Sequence, residues 1–248
     1  MPRVFVSSDD ISANIVSIDG SDAHHLGLVL RLTPGDTFVA VDEFGREHTA
    51  SVELVRRDLI TGRVVETRTP DVEPKARIVL AQAVPKAKKM DLIAQKCTEL
   101  GVGVIIPMTT ERVIPQSDEA KARQRRERWQ RIATEASRQS HRTVIPEVRP
   151  IVAFDEALQE LAAMDLCLLF SEAEERRPLR QVLGHGIQVS SLGIVIGPEG
   201  GFSVAELEAA TEAGAVPVTL GPRILRTETA ALAALTIALY ELGEMGER

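Results

Sequence analysis

The feature that most constrains the fold is a change of rhythm near residue 70. Before it, short apolar stretches follow at close spacing: RVFV, NIVSI, TFVAVDE, HTASVELV and ITGRVVE, separated by turn signals such as DG, TPGD and EFGR. Such spacing predicts a small barrel or curled sheet. Between these runs, SDAHHLGLVLRLTPGD places Leu26, Val29, Leu30 and Leu32 as for a short helix entering a turn at Pro34-Gly35. The polar, proline-bearing TRTPDVEPKA (67–76) marks a boundary, so two domains are expected, 1–72 and 73–248. From residue 77, strand-like RIVLAQAV, GVIIPMTT, PEVRPIV, DLCLLFSEA, LGIVIGPEGG and VPVTLGPRIL alternate with helix-like segments. These include KKMDLIAQKCTELGV ending at Gly101, EAKARQRRERWQRIATEASRQS and FDEALQEL. Alternation of this kind predicts an α/β fold, a mostly parallel sheet covered by helices on both faces.

In open parallel sheets ligands sit at the carboxyl ends of strands. Three such ends carry candidate chemistry: LLFSE, VIGPEGG and TLGPRIL. The loop IGPEGGFS is neither GxxxxGK[ST] nor GxGxxG, and it bears Glu199 where a phosphate loop carries a lysine. A carboxylate there suits a cation, or a ligand offering hydroxyl and amino donors, and the glycines allow close backbone approach. A tight strand–helix turn without a ligand is the competing reading. Ser203 is no hydrolase nucleophile, because GFSVA lacks the second glycine of the elbow. It forms instead a capping box with Glu206, with Phe202 and Leu207 as staple and Gly214 as terminator. In TLGPRILRTETAALAALTIALYELG, Thr227 is a candidate N-cap for a helix apolar on nearly all sides. Arg226 at its mouth reads either as a salt-bridged scaffold residue or as a ligand contact.

Composition removes other classes. No apolar run among the 248 residues reaches the length of a membrane span, and MPRVFVSSDD lacks a signal-peptide core. Cys97 and Cys167 stand alone, as buried thiols of a reducing compartment do, which points to the cytoplasm. His24, His25, His48, His141 and His185 show no metal-ligand spacing, so no metal is expected. The net charge of −7 argues against a nucleic-acid partner until the clustering of the cations is noticed. Lys86, Lys88 and Lys89 form one group. Lys121, Arg123, Arg125, Arg126, Arg128 and Arg131 lie within one helix-like run, with Arg138 and Arg142 beyond it.

VIGPEGGFS followed by TLGPRILRTETAALAAL resembles the paired signature of the SPOUT-class RNA methyltransferases, and more narrowly the 16S rRNA uridine-N3 methyltransferases, the small-subunit methyltransferase E family. HHLGLVLRLTPGD, KKMDLIAQKCTELGVGVIIPMTTERV and RWQRIATEASRQSHRTVIPEV are similar to further family motifs in the expected order, covering most of the chain. His141 in QSHR departs from the pattern, where a small residue is commoner. The resemblance implies an N-terminal PUA-like β-barrel that binds RNA and a C-terminal SPOUT α/β domain threaded into a trefoil knot and working as a homodimer. It implies S-adenosyl-L-methionine as methyl donor, S-adenosyl-L-homocysteine as product, and no metal. The implied substrate is 16S rRNA of the small ribosomal subunit, methylated at N3 of uridine 1498 in the usual 16S numbering.

Carried over by position, the donor is expected among Leu169, Ile196, Gly197, Pro198, Glu199, Gly200, Gly201, Leu220, Gly221, Leu225, Arg226, Thr227 and Thr229, with Leu220 and Leu225 sandwiching the adenine. Arg226 is expected to stabilise the developing uridine anion. Glu199 stands either as proton acceptor or as a hydrogen-bonding partner of loop and ligand. Contacts to RNA are expected from Lys86, Lys88, Lys89, Arg125, Arg128, Gln139, Ser140 and Arg142, and from His25 and Arg31 on the barrel, where packing or turn roles compete. A solvated helix face is the competing reading of the long basic run. With 3% aromatics, base stacking cannot dominate recognition. A SPOUT enzyme for another RNA site and a non-catalytic ribosome-assembly protein remain as alternatives. A dinucleotide-dependent oxidoreductase is disfavoured by the missing GxGxxG.

Overall fold

The structure, a computed structural model, describes residues 1–112, 118–172, 174, 177–184 and 187–246. Val113, Ala173 and His185 of the motifs above lie outside them. The chain forms two compact units, one of residues 1–73 and 137–144, the other of residues 74–136 and 145–248.

The first unit is built on β1 (Arg3–Phe5), β2 (Ile11–Ser12), β3 (Ile15–Asp19), α1 (Gly20–His24), β4 (Thr37–Val41), β5 (Glu47–Val55) and β6 (Leu59–Arg68). The strands make one six-stranded sheet in the order β1-β4-β5-β6-β3-β2, antiparallel apart from the β1–β4 pair. Among the described residues no pairing joins β1 to β2, so the sheet runs between two free ends. Period-two alternation turns Phe38, Ala40, Ala50, Val52, Val16, Ile18 and Ile60 into its core. Gly62 is required in mid-strand, since a Cβ there would lie 2.6 Å from the Phe38 ring.

After α1 the chain makes a π turn over His25–Val29, closed by Leu30 N–H donating to His25 O at 3.0 Å. That wider turn breaks the helical phase anticipated for this stretch. Leu26 is buried and Leu32 packs on the core, whereas Val29 and Leu30 project outward beside Leu28.

Residues 137–144 are bound into this unit by two ion pairs. Arg138 Nη2 donates to both carboxylate oxygens of Asp22, at 2.9 and 2.8 Å. Arg142 is buried and donates to Glu73 through Nε at 3.0 Å and Nη2 at 2.5 Å, while Glu73 also accepts the backbone N–H groups of Thr143 and Val144.

The second unit comprises β7 (Arg77–Ala83), α2 (Lys89–Leu100), β8 (Val104–Thr109), α3 (Glu119–Gln139, its last turn in the first unit), β9 (Glu147–Val148), β10 (Val152–Ala153), α4 (Phe154–Leu161), β11 (Leu166–Phe170), α5 (Leu179–Leu183), β12 (Ser191–Ile196), α6 (Val204–Glu212), β13 (Val216–Val218) and α7 (Thr227–Glu241). Every strand pair is parallel, in the order β10-β8-β7-β12-β11-β13, with β9 beside β8. This is the helix-covered parallel sheet that the strand–helix rhythm predicts.

Its two faces are sorted by parity. Ile78, Leu80, Leu168, Phe170, Ile194 and Ile196 pack with side chains of α2, α5 and α7, whereas Val79, Ala81, Leu169 and Val195 pack with those of α4 and α6. Local signals set the helix ends. Gly101 closes α2 at φ +110°, Ser203 and Glu206 make both hydrogen bonds of their capping box, and Gly214 follows α6 at φ +89°.

Cys97 and Cys167 are buried, and burial pushes both thiols up to about 12. Helix α7 buries one stripe, including Ala231, Ala234, Leu235, Ala238 and Leu239, and leaves Ile237 and Tyr240 exposed. No helix among the described residues is long and apolar enough to cross a membrane.

Candidate functional site at the carboxyl ends of three strands

The chain leaves β11, β12 and β13 at one edge of the sheet, and the loops that follow enclose an open cleft of about 960 Å³. The three strand ends singled out in the sequence thus converge on one cavity. It is lined by Phe170, Ser171 and Glu172 after β11, by Ile196 to Glu199 with Gly201 and Phe202 after β12, and by Thr219 to Thr227 after β13.

Its polarity is divided. Glu172, Glu174 and Glu199 contribute carboxylates from the β11 and β12 loops, while Arg223 and Arg226 contribute cations from the loop preceding α7. Among the described residues no lysine lines it and neither arginine side chain has a hydrogen-bond or ion-pair partner. Apolar walls come from Phe170, Ile196, Leu220, Leu225 and Ala230. A cavity of this size with apolar walls and few polar groups suits a ligand larger than a metabolic acid. Among the described residues, no group of three or more His, Cys, Asp or Glu side chains could hold a metal ion.

The β12 loop is fixed from several sides. Thr227 Oγ1 donates to Gly197 O at 2.6 Å and accepts from Gln82 Nε2 at 2.9 Å, tying together β7, the end of β12 and the start of α7. Arg112 Nη1 donates to Gly200 O at 2.5 Å. Glu206, besides capping α6, accepts Glu111 N–H at 2.8 Å. Glu199 accepts from Lys89 Nζ at 2.9 Å and from Lys86 N–H at 3.2 Å, and Lys89 also lies 3.3 Å from Glu228. Burial would raise the Glu199 pKa, but the hydrogen bonds from Lys89 and from backbone amides outweigh it, so the carboxyl is held below its ordinary value. The Glu199 partner in turn raises Lys89.

Ten of the thirteen anticipated donor positions line the cleft: Ile196, Gly197, Pro198, Glu199, Gly201, Leu220, Gly221, Leu225, Arg226 and Thr227. Three do not. Leu169 pairs in register with Val195, and alternation sends both to the α4–α6 face, leaving the cleft to Phe170 and Ile196. Gly200 faces Arg112, and Thr229 is exposed on α7 away from the lining.

Thr227 is not the N-cap. Arg226 occupies that position, without a side-chain capping bond, and the Thr227 hydroxyl is turned to Gly197. Glu199 is engaged by Lys89 and by the Lys86 amide, and these hydrogen bonds hold its carboxyl below the ordinary value. Lining residues not named individually among the anticipated donor positions include Phe170, Glu172, Glu174, Thr219, Arg223 and Ile224, all but Glu174 within the strand ends LLFSE and TLGPRIL. In-register pairing of Phe170 with Ile196 was the signal for the first, and position beside Arg226 the signal for Arg223 and Ile224.

The anticipated RNA contacts divide as well. Lys86 and Lys88 are exposed at the approach to α2, but Lys89 is engaged with Glu199 and Glu228. Arg142 is only 5% exposed, and its guanidinium is engaged by Glu73 within its own unit. Arg128 is half-exposed and pairs with Asp91 at 2.5 Å, and Arg126 donates to Val148 O. Arg125 and Ser140 are half-buried, while Gln139 is exposed at the end of α3. On the first unit His25 is half-buried at the start of the π turn, and Arg31 is exposed with φ +57°.

Residues 72–239 match the family described as RNA methyltransferase domain, and residues 18–65 match the RNA methyltransferase PUA domain. The ribosomal RNA small subunit methyltransferase E of Bacillus subtilis is 36% identical over 229 residues, covering 91% of this chain and 90% of that protein. Among solved structures, a ribosomal RNA small subunit methyltransferase E from Neisseria gonorrhoeae bound to S-adenosylmethionine superposes with a TM-score of 0.86 at 34% identity, covering 97% of both chains. A methyltransferase from Legionella pneumophila, solved with bound cofactor S-adenosylmethionine, has a TM-score of 0.86 at 32% identity and covers 96% of both chains.

Proposed function

The chain belongs to the ribosomal RNA small subunit methyltransferase E family, and on that premise we propose that it methylates N3 of one uridine, position 1498 in the usual numbering, in 16S rRNA of the small ribosomal subunit. The observation that carries this reading is the divided cleft at the ends of β11, β12 and β13. Carboxylates on one wall suit a sulfonium cation with hydroxyl and amino donors, and the lysine-free lining is unsuited to a phosphate-bearing cofactor. S-adenosylmethionine, when bound, supplies the methyl group and leaves as S-adenosylhomocysteine. The residues fit it: the backbone of Gly197 to Glu199 and of Gly201 and Gly221 offers hydrogen bonds, and Leu220 and Leu225 offer apolar faces for the adenine.

Uridine N3 carries a proton and attacks poorly until that proton is lost to solvent water. Arg226, on the cleft wall with no side-chain partner among the described residues, stabilises the anion left behind and orients the base, and the anion takes the methyl group from sulfur. Glu199 serves by anchoring its loop through Lys89 rather than by taking the proton. Much of the remaining acceleration comes from positioning. The proposal extends to the family's trefoil knot in the second unit, a homodimer, RNA binding by the PUA domain and a cytoplasmic location. Small subunits lacking the modification, incubated with this protein and labelled S-adenosylmethionine, should acquire label at N3 of one 16S uridine by mass mapping. Label at another nucleotide, or none despite donor binding, would overturn the proposal.

A further inference from the structure

Arg223 and Ile224 stand out in the loop between β13 and α7. Arg223 is exposed at the rim of the cleft and, among the described residues, has no hydrogen-bond or ion-pair partner. Ile224, beside it, is 84% exposed, more than any other large hydrophobic side chain described. An isoleucine so displayed at a cleft mouth is unexplained by the core. The loop that carries it is held at both ends. Thr219 Oγ1 accepts Gly221 N–H at 3.1 Å, Gly221 turns the chain at φ +101°, and Thr227 is clamped to Gly197.

The chemistry of the target supplies the reason. N3 lies on the pairing edge of uracil, so a uridine cannot be methylated there while it is paired, and a base treated by an enzyme is taken out of its stack. Proteins that unstack nucleic acid insert apolar side chains, isoleucine among them, and hold the adjoining backbone with cations. Aromatics, the usual substitutes for a lost stacking partner, make up 3% of this chain.

We propose that this loop extrudes the target nucleotide, with Arg223 holding a backbone phosphate beside it and Ile224 filling the gap it leaves in the stack. The inference rests on the methyl-transfer reading above. It places the RNA backbone on the loop that carries the cleft's arginines, not on the loops that carry its carboxylates.

The test uses the full chain, small ribosomal subunits lacking the modification, and the variants Arg223→Ala, Ile224→Ala and Ile224→Leu. Because both residues line the donor cleft, S-adenosylmethionine affinity is measured for each variant and rates are compared at saturating donor. Arg223→Ala should flatten the dependence of subunit binding on log salt by about one unit of slope. Ile224→Ala should keep the parent's slope but lose about tenfold or more in single-turnover methylation, and Ile224→Leu should recover it. Parent-like slope and rate in the alanine variants would overturn the inference while leaving the methyltransferase reading intact. So would losses that follow donor affinity, or an Ile224→Ala loss that follows a change in oligomeric mass. A parent protein that labels no 16S uridine would remove the reading and this inference with it.

Discussion

The arginines between residues 126 and 142 and those of the loop 221–226 are alike in residue type and unlike in circumstance. In the first set, Arg126 and Arg131 each donate to a backbone carbonyl, and Arg128 is spent on Asp91, Arg138 on Asp22 and Arg142 on Glu73. In the second, Arg223 and Arg226 stand at a cleft with no such partner among the described residues. The denser cluster is the more conspicuous in sequence and the less available for chemistry. Cations that a fold has already neutralised serve its architecture, and those left uncompensated beside a cavity serve a ligand.

Glu73→Ala should break this comparison most forcefully if it is wrong. Removing the carboxylate takes the ion-pair partner from a buried guanidinium and the acceptor from two backbone N–H groups, at a cost of about 3 kcal/mol, the lower end for a broken buried pair because Glu73 keeps some solvent. A urea titration that moves by less than about 1 kcal/mol would show that Arg142 is no scaffold residue. Arg226→Ala is the mirror image: about a hundredfold loss in kcat, with the denaturation midpoint unchanged within about 0.5 kcal/mol. A destabilised but fully active Arg226→Ala protein would place Arg226 with the scaffold set.

Thr227→Val should cost about 1–2 kcal/mol by orphaning the Gly197 carbonyl and the Gln82 amide, and should also weaken binding of S-adenosylmethionine. Calorimetry with this variant separates a loop tie from a mere packing contact.

The smallest effect belongs to Glu199→Gln. The folded pKa of Glu199 lies below its usual 4.5, so the charge contributes above that value and is lost only as pH falls through the still lower folded pKa. Lys89, raised above 10.5, contributes below that value and loses its charge only as pH climbs through its folded pKa. The pair is therefore intact throughout roughly pH 6 to 9. Glu199→Gln should leave the pH–rate profile over that range unshifted, and stability within about 1 kcal/mol. A profile that loses an inflection in Glu199→Gln would restore Glu199 as proton acceptor.

What could be read from the chain was what neighbouring residues decide. The Ser203–Glu206 capping box, the Gly101 stop and the span of FDEALQEL depend on contacts within a turn or two, and all three are found as anticipated. The convergence of three strand ends followed from the strand–helix alternation. What escaped depends on long-range pairing. Arg142 meets Glu73 across 69 positions of sequence, and Thr227 meets Gln82 across 145. Leu169 and its neighbour Phe170 differ by a single residue of register, which is enough to send one side chain to the α4–α6 face and the other to the cleft.

The eight residues 137–144 carry one more consequence. They complete the first unit, yet the chain reaches them only after β7, α2, β8 and most of α3. On the translating ribosome, where domains generally fold in order of emergence, the first unit stays unfinished while the second is under way. Its ion pairs to Asp22 and Glu73 wait for a segment that arrives some seventy residues late. In evolutionary terms the first unit is not a cassette: a cut at residue 73 would separate it from its own closing piece.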